Sequence, residues 1–61
     1  MEGLLSIPQA AKRLGMTEAF VRRAVLLKRI EYVKVGRLVR FKPETIDAYI
    51  EANTVKEMEN K

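Results

Sequence analysis

Three residues, Gly15-Met16-Thr17, separate two short segments with helical periodicity, and this break leaves the chain few ways to fold. Glycine adopts the left-handed conformation that ends a helix at little cost. Thr17 is a favourable N-cap, and Glu18 complements the positive end of a helix dipole. The pattern therefore predicts two helices joined by a tight turn.

The first of these helices has a defined start. Ser6 followed by Gln9 has the spacing of a capping box, while Pro8 disfavours helical angles at the residue before it. We expect the helix to begin at Ile7 or Pro8 and to end at Gly15. Its apolar face consists of Ala10, Ala11 and Leu14, with Lys12 and Arg13 turned outward.

The second helix is amphipathic as well. Its predicted apolar face contains Phe20, Val21, Ala24, Val25 and Leu27. The opposite side carries Glu18, Ala19, Arg22, Arg23 and Leu26, of which we assign Leu26 to the edge of the core. Helix, glycine turn and helix form a helix-turn-helix, an arrangement whose second helix enters the major groove of DNA.

Beyond Lys28 the periodicity changes from helical to alternating. Tyr32 and Lys34 point to one side of a predicted strand, and Val33 and Val35 point to the other. Gly36-Arg37 has the character of a two-residue hairpin turn, with the returning strand over Leu38–Phe41. Two strands alone are marginally stable in water, so this hairpin must pack on the helices.

A third helix is predicted to begin at Pro43, where the missing N–H has no consequence. Lys42 is a poor cap before it, and Glu44 is favourable in the first turn. We expect a core stripe of Ile46, Tyr49 and Ile50. The predicted fold is mainly α with a small β-hairpin, a winged helix-turn-helix over residues 1–53, followed by a polar tail over 54–61 that frays.

The chain of 61 residues has neither cysteine nor histidine. The commonest metal ligands, nucleophiles and general bases are therefore missing, and we expect no cofactor, no metal and no catalysis. No apolar run is long enough to cross a bilayer, and the first residues lack the features of a signal peptide. These properties favour a cytoplasmic protein that has no membrane partner.

Positive charge is concentrated in the middle of the chain. Residues 12–42 contain ten basic and two acidic side chains, a net charge of +8, whereas residues 43–61 carry −3. Such a segment attracts phosphates and provides affinity for nucleic acid that does not depend on base sequence.

An ordered series of short segments resembles excisionase-family DNA-binding domains, a compact branch of the MerR-like winged helix-turn-helix proteins. The series is Leu5-Ser6-Ile7-Pro8-Gln9-Ala10-Ala11, Leu14-Gly15-Met16-Thr17, Val21-Arg22-Arg23, Val33-Lys34-Val35, Gly36-Arg37, Arg40-Phe41, Pro43-Glu44 and Ile46-Asp47-Ala48-Tyr49-Ile50. It covers residues 4–50. The chain departs from the family pattern at Lys28, Glu31 and Phe20, where glycine, proline and a small hydroxyl residue are frequent.

The resemblance implies a recognition helix at about Thr17–Lys28 and DNA contacts from this helix and the tip of the wing. It also implies a function: such proteins bind direct repeats in attachment-site DNA, bend it and help an integrase to perform excisive site-specific recombination in phages and mobile elements. The implied partners are double-stranded DNA and an integrase in the bacterial cytoplasm, in association with the nucleoid. We expect a monomer in solution that can assemble cooperatively on DNA.

The candidate DNA-binding residues lie on the second helix and the wing; they are Thr17, Glu18, Ala19, Arg22, Arg23, Lys34, Arg37 and Arg40. Arginine pairs bidentately with guanine, which favours Arg22 and Arg23 as base or phosphate contacts. Arg37 suits a minor groove or a flanking phosphate. The alternatives are a solvated helix face with a Glu18–Arg22 pair and a turn residue that serves only solubility.

Two other functions fit the same scaffold. One is a small MerR-like transcriptional regulator or repressor, although such regulators dimerise through a long C-terminal helix and this chain lacks the heptad pattern for one. The other is a protein-interaction module that docks through its charged face. The acidic residues Glu44, Asp47 and Glu51 of the third helix fit a solvated stripe better than a metal or partner site.

Overall fold

The computed structural model describes residues 3–55 and contains three helices and one β-hairpin within them. In chain order these are α1 (Ile7–Leu14), α2 (Glu18–Leu26), β1 (Val33–Val35), β2 (Leu38–Arg40) and α3 (Pro43–Ala52). This order confirms the predicted winged helix-turn-helix. Of the tail predicted to fray, residues 56–61 lie outside the described part of the chain.

Both ends of α1 are held by local hydrogen bonds. The Ser6 hydroxyl accepts from the Gln9 amide at 3.3 Å, and the Gln9 side chain accepts from the Ser6 amide at 2.9 Å, so the predicted capping box is present. Gly15 is left-handed, with φ of 71°. The Met16 amide donates to the Ala11 carbonyl and the Gly15 amide to that of Lys12, which is the bond pattern of a Schellman motif.

The second helix has the predicted start but an earlier end. The Thr17 hydroxyl accepts from the Phe20 amide at 3.1 Å. The helix stops at Leu26 rather than reaching Lys28, which has a left-handed φ of 61°. Arg29 donates to the Ala24 carbonyl and Lys28 to that of Val25, so α2 ends in a second Schellman motif with lysine in the place of glycine.

The hairpin has the predicted two-residue turn. Its register pairs Val33 with Arg40, Lys34 with Val39 and Val35 with Leu38, and Gly36 in the turn has φ of 61°. The second strand ends at Arg40 rather than at Phe41. The chain leaves the hairpin there because the backbone of Phe41 pairs instead with Leu5, through two hydrogen bonds of 2.8 Å.

The core draws on all three helices and on the residues that flank the hairpin. Its buried residues are Ala10, Ala11, Val21, Ala24, Ile30, Phe41 and Ile46, and Phe41, Ile46 and Val21 are the largest side chains that are fully enclosed. No polar or charged residue is buried within residues 3–55. Ile30, which lies between α2 and the hairpin in the chain, was not among the predicted core residues.

Four core assignments are wrong. Phe20, Leu27 and Ile50 are exposed, and Leu26 is 77% exposed rather than at the core edge. The cause is the packing arrangement: α1 packs against both α2 and α3, whereas α2 and α3 have little direct contact. Only the side of α2 that faces α1 is therefore covered.

The third helix begins at Pro43, and Lys42 before it makes no side-chain cap, as predicted. Ile46 is buried and Tyr49 is half-buried. At the other end, the Asn53 side chain donates to the Tyr49 carbonyl and the Thr54 hydroxyl to the Ile50 carbonyl. None of the helices in residues 3–55 is long and apolar enough to span a membrane.

Candidate nucleic-acid interface

The solvent-facing side of α2 presents a short helix surface with two arginines. Successive residues are rotated by about 100°, so Ala19 and Arg23 lie one turn apart on the side opposite the buried Val21. Arg22 lies on the flank between these two sides. All three are exposed. The small Ala19 leaves the surface beside Arg23 open to close approach.

The two arginines differ in their partners. Arg22 forms an ion pair with Glu18 at 3.2 Å, the i,i+4 contact that the sequence analysis weighed as an alternative to DNA binding. Within residues 3–55, no carboxylate forms an ion pair with Arg23. Exposed i,i+4 pairs contribute only about 0.3–0.5 kcal/mol, so a phosphate competes readily for Arg22.

The start of α2 carries the remaining helix candidates. The Thr17 hydroxyl accepts the Phe20 amide and thus has its capping role, and Glu18 has its role in the first turn and in the ion pair. Both residues are exposed. Five candidates, from Thr17 to Arg23 in sequence, are therefore brought together at the start and on the first two turns of one helix that follows the Gly15 turn.

The wing candidates lie in the turn and on both faces of the hairpin. Arg37 is exposed in the hairpin turn. Residues paired across an antiparallel ladder share a face and neighbours along a strand alternate, so Lys34, opposite Val39, and Arg40, opposite Val33, project from opposite faces. They do not form one basic surface. The Arg40 guanidinium also donates to the Val39 carbonyl at 2.8 Å.

Two basic residues that the sequence analysis did not select follow α2 directly. Lys28 and Arg29 are exposed and lie in the Schellman turn at its end. The sequence marks Lys28 and Arg29 only as members of the basic segment. It does not predict the sharp turn that places them beside the helix, because this turn depends on a lysine in a left-handed conformation.

An open groove between α2 and α3 was also missed. It is lined by apolar side chains that had been assigned to the core or to the turn: Leu14, Met16, Phe20, Leu27, Tyr49 and Ile50. Arg23 and Arg29 lie at its α2 end. The groove exists because these two helices have little direct contact, which helical periodicity does not reveal.

The acidic residues of α3 do not gather into a metal site in the part of the chain that the structure describes. Glu44, Asp47 and Glu51 are exposed on α3, and Asp47 forms an ion pair with Arg13 of α1 at 3.2 Å. Residues 3–55 contain no group of three or more carboxylates placed to hold a metal ion.

Comparisons with known proteins agree with this geometry. A family model described as a helix-turn-helix domain matches residues 4–54, which is most of the chain. Neither the curated proteins nor the solved structures gave a significant match. The family binds DNA, includes excisionase-like proteins and is typically non-enzymatic. Because the match covers most of the chain, the chain belongs to this family of DNA-binding helix-turn-helix domains.

Proposed function

We propose that this protein binds double-stranded DNA sequence-specifically as an excisionase-type accessory factor. It shapes attachment-site DNA and assists an integrase in excisive site-specific recombination. The observation that carries the DNA-binding part is the exposed face of α2, on which Ala19, Arg22 and Arg23 lie together at the end of a tight turn. The excisionase part is supported by the ordered resemblance over residues 4–50.

The two arginines have different roles in this proposal. Arg23 contacts a base, because it lies on the outermost line of α2 beside the small Ala19 and has no ion pair within residues 3–55. A guanine offers the O6 and N7 acceptors that a guanidinium binds bidentately. Arg22 contacts a phosphate, since it lies on the flank of the helix and exchanges Glu18 for a stronger anionic partner.

The remaining candidates position the domain on the duplex. Arg37 enters the minor groove or binds a flanking phosphate from the hairpin tip. Lys34 and Arg40 project from opposite faces of the wing and bind phosphates on either side of it. Glu18 and Ala19 border the base contact. The amides at the start of α2, beside Thr17, favour a phosphate because they carry the positive end of the helix dipole.

This binding unit comprises residues 1–53, with 54–61 as a separate tail. The protein acts as a monomer that can assemble cooperatively on DNA in the bacterial cytoplasm, in association with the nucleoid. Light scattering tests the monomer, which a stable dimer in the absence of DNA would contradict.

Charge reversal tests the DNA interface. We expect Arg22→Glu with Arg23→Glu to abolish duplex binding in a fluorescence anisotropy titration and to leave the circular dichroism spectrum unchanged. For the unaltered protein, contact with about five phosphates predicts that log affinity falls with log salt at a slope of about −4 to −5.

A matched control separates the interface from net charge. Lys12→Glu with Lys42→Glu changes the net charge equally, but at exposed positions outside the proposed interface. We expect this variant to retain binding with a moderate loss. Equal losses in the two double variants would contradict the assignment to α2, and intact DNA binding after reversal of Arg22 and Arg23 would favour the interaction-module alternative.

The excisionase role requires a second experiment. We expect an integrase gene adjacent to that of this protein, and a footprint on attachment-site DNA that extends or strengthens when that integrase is added. A footprint confined to a promoter and indifferent to integrase would instead identify a transcriptional regulator, because both classes use the same DNA-binding surface.

A further inference from the structure

One face of the hairpin carries an exposed apolar pair next to the turn. The register places Val35 and Leu38 directly opposite each other on this face, where they are 41% and 53% exposed. Val39 lies on the other face and packs against the core. We call Val35 and Leu38 the tip pair.

The tip pair lies as close to the end of the wing as any strand residue can. Val35 and Leu38 flank the two-residue turn, so each is one residue away from Gly36-Arg37. Arg37 lies exposed in the turn beside them, and Arg40 lies farther along the same face, whereas Lys34 projects from the other face. An apolar pair beside a cationic turn suits a DNA groove, because phosphates form the edges of the groove and sugars and bases form its interior.

We propose that the tip pair enters the DNA minor groove with Arg37 and forces the groove to widen, so that the wing bends the duplex. This inference rests on the proposed DNA binding. It identifies the apolar contact by which the wing changes DNA shape, in addition to the electrostatic contact of Arg37.

The dimensions of ribbon and groove support this assignment. Two paired strands lie about 4.8 Å apart before their side chains are counted, whereas the minor groove of B-DNA is only about 6 Å wide. The tip therefore enters beyond Arg37 only if the groove opens. Apolar side chains then contact the sugars and the exposed faces of partly unstacked bases, as apolar wedges do in other minor-groove proteins.

The same argument predicts a sequence preference. Opening the groove requires the least free energy at flexible pyrimidine–purine steps such as TA and CA/TG. We expect such a step under the wing in duplexes that the full chain selects from a random pool. The preference arises from deformability and needs no hydrogen bond from the wing to a base.

The test substitutes threonine at both positions of the tip pair. Val35→Thr with Leu38→Thr removes apolar surface but retains strand-forming residues and cross-strand pairing, so the hairpin stays formed. The probe is the selected duplex, about 30 bp long, with donor and acceptor dyes at its ends so that energy transfer reports the bend. We expect the energy transfer to fall towards that of free DNA and Kd to rise about tenfold.

Salt dependence separates the tip pair from the basic residues. The threonine variant removes no charge, so the slope of log affinity against log salt stays unchanged, whereas Arg37→Ala reduces the slope by about one. The matched control is Val55→Ala, which truncates an 80% exposed apolar side chain after α3 and leaves bend and affinity unaltered.

Several outcomes overturn the inference. The first is an unchanged bend and Kd in the threonine variant while Arg22→Glu with Arg23→Glu still abolishes binding; this leaves the proposed function intact. The second is loss of integrase recruitment with an unchanged bend, which assigns the tip pair to protein contact. If no duplex is selected at all, the proposed DNA binding itself fails and this inference with it.

Discussion

The helix-turn-helix unit and the hairpin differ in how firmly each is held. The unit formed by α1, the turn and α2 has a side-chain cap at the start of each helix and a Schellman motif at each end, and it contributes four of the seven buried core residues. The hairpin has three residue pairs and exposes most of its surface. It depends on Phe41, the residue that follows it.

This difference matches two kinds of DNA contact. A side chain that distinguishes one base from another requires a backbone fixed to within about 0.5 Å, because bidentate hydrogen bonds tolerate little displacement. A wing that follows a groove of variable width can adapt to that width when its tip has few contacts with the rest of the protein. Substitutions in each region test whether their contributions to the free energy of unfolding are as unequal as their contacts indicate.

The largest effect is expected where the hairpin joins the helices. Phe41 is fully buried and its backbone pairs with Leu5, so Phe41→Ala leaves a cavity between hairpin and helices. We expect it to lower the free energy of unfolding by about 3–5 kcal/mol, most of the stability of so small a domain. Urea denaturation followed by circular dichroism measures this loss.

Leu38→Ala is the comparison within the hairpin. Leu38 is exposed, and we expect its truncation to change the free energy of unfolding by less than about 1 kcal/mol. Similar losses for both variants would mean that the hairpin is held by its own side-chain pairs, contrary to the dependence on Phe41.

A smaller effect is expected at the start of α2. Thr17→Ala removes the side-chain acceptor of the Phe20 amide and should lower the free energy of unfolding by about 1 kcal/mol. Thr17→Ser, which keeps the hydroxyl, is the control and should restore most of the loss. If the two variants have the same melting temperature, the hydroxyl is not what stabilises this helix start.

Much of this architecture was predictable because local chemistry determines it. Ser6 and Gln9 cap the start of α1, Gly15 ends it and Thr17 caps α2. Each of these residues meets a backbone requirement that extends only three or four residues along the chain. Gly36-Arg37 likewise predicted the hairpin and its two-residue turn.

The errors arose where the outcome depends on distant partners. Phe20, Leu27 and Ile50 have the right helical spacing for a core, but spacing does not show that α2 and α3 have little contact. The faces of Lys34 and Arg40 were not predicted, and the pairing register shows that the two side chains project from opposite faces. The sequence left open whether Arg22 pairs with Glu18, and the structure shows this pair, whereas no carboxylate within residues 3–55 forms an ion pair with Arg23.

The end of α2, where the helix-turn-helix unit leads into the hairpin, offers a stabilising change. Lys28 has φ of 61°, a conformation that disfavours a residue with a Cβ by about 1–2 kcal/mol. Glycine relieves this strain but loses more chain entropy on folding. We expect Lys28→Gly to raise the free energy of unfolding by about 0.5 kcal/mol, as measured by thermal denaturation.

Two controls distinguish conformation from charge. Lys28→Ala removes the same charge and keeps the strain, so it should give no gain. Gly15→Ala is the reverse change in the other Schellman motif; a Cβ there meets no atom within 4 Å, so its loss of about 1 kcal/mol is purely conformational. A gain for Lys28→Ala equal to that for glycine would show that charge rather than backbone limits stability here.

The smallest effect is expected for the ion pair that joins α1 to α3. Arg13 and Asp47 are 3.2 Å apart with side chains 45% and 60% exposed, so solvent screens their attraction. A double-mutant cycle of Arg13→Gln and Asp47→Asn should give a coupling energy of about 0.2–0.5 kcal/mol at low salt and less at high salt. A coupling energy above about 1 kcal/mol, or one insensitive to salt, would contradict this reasoning. The third helix would then be held by charge, whereas the burial of Ile46 indicates that apolar packing holds it to the helix-turn-helix unit, as Phe41 holds the hairpin.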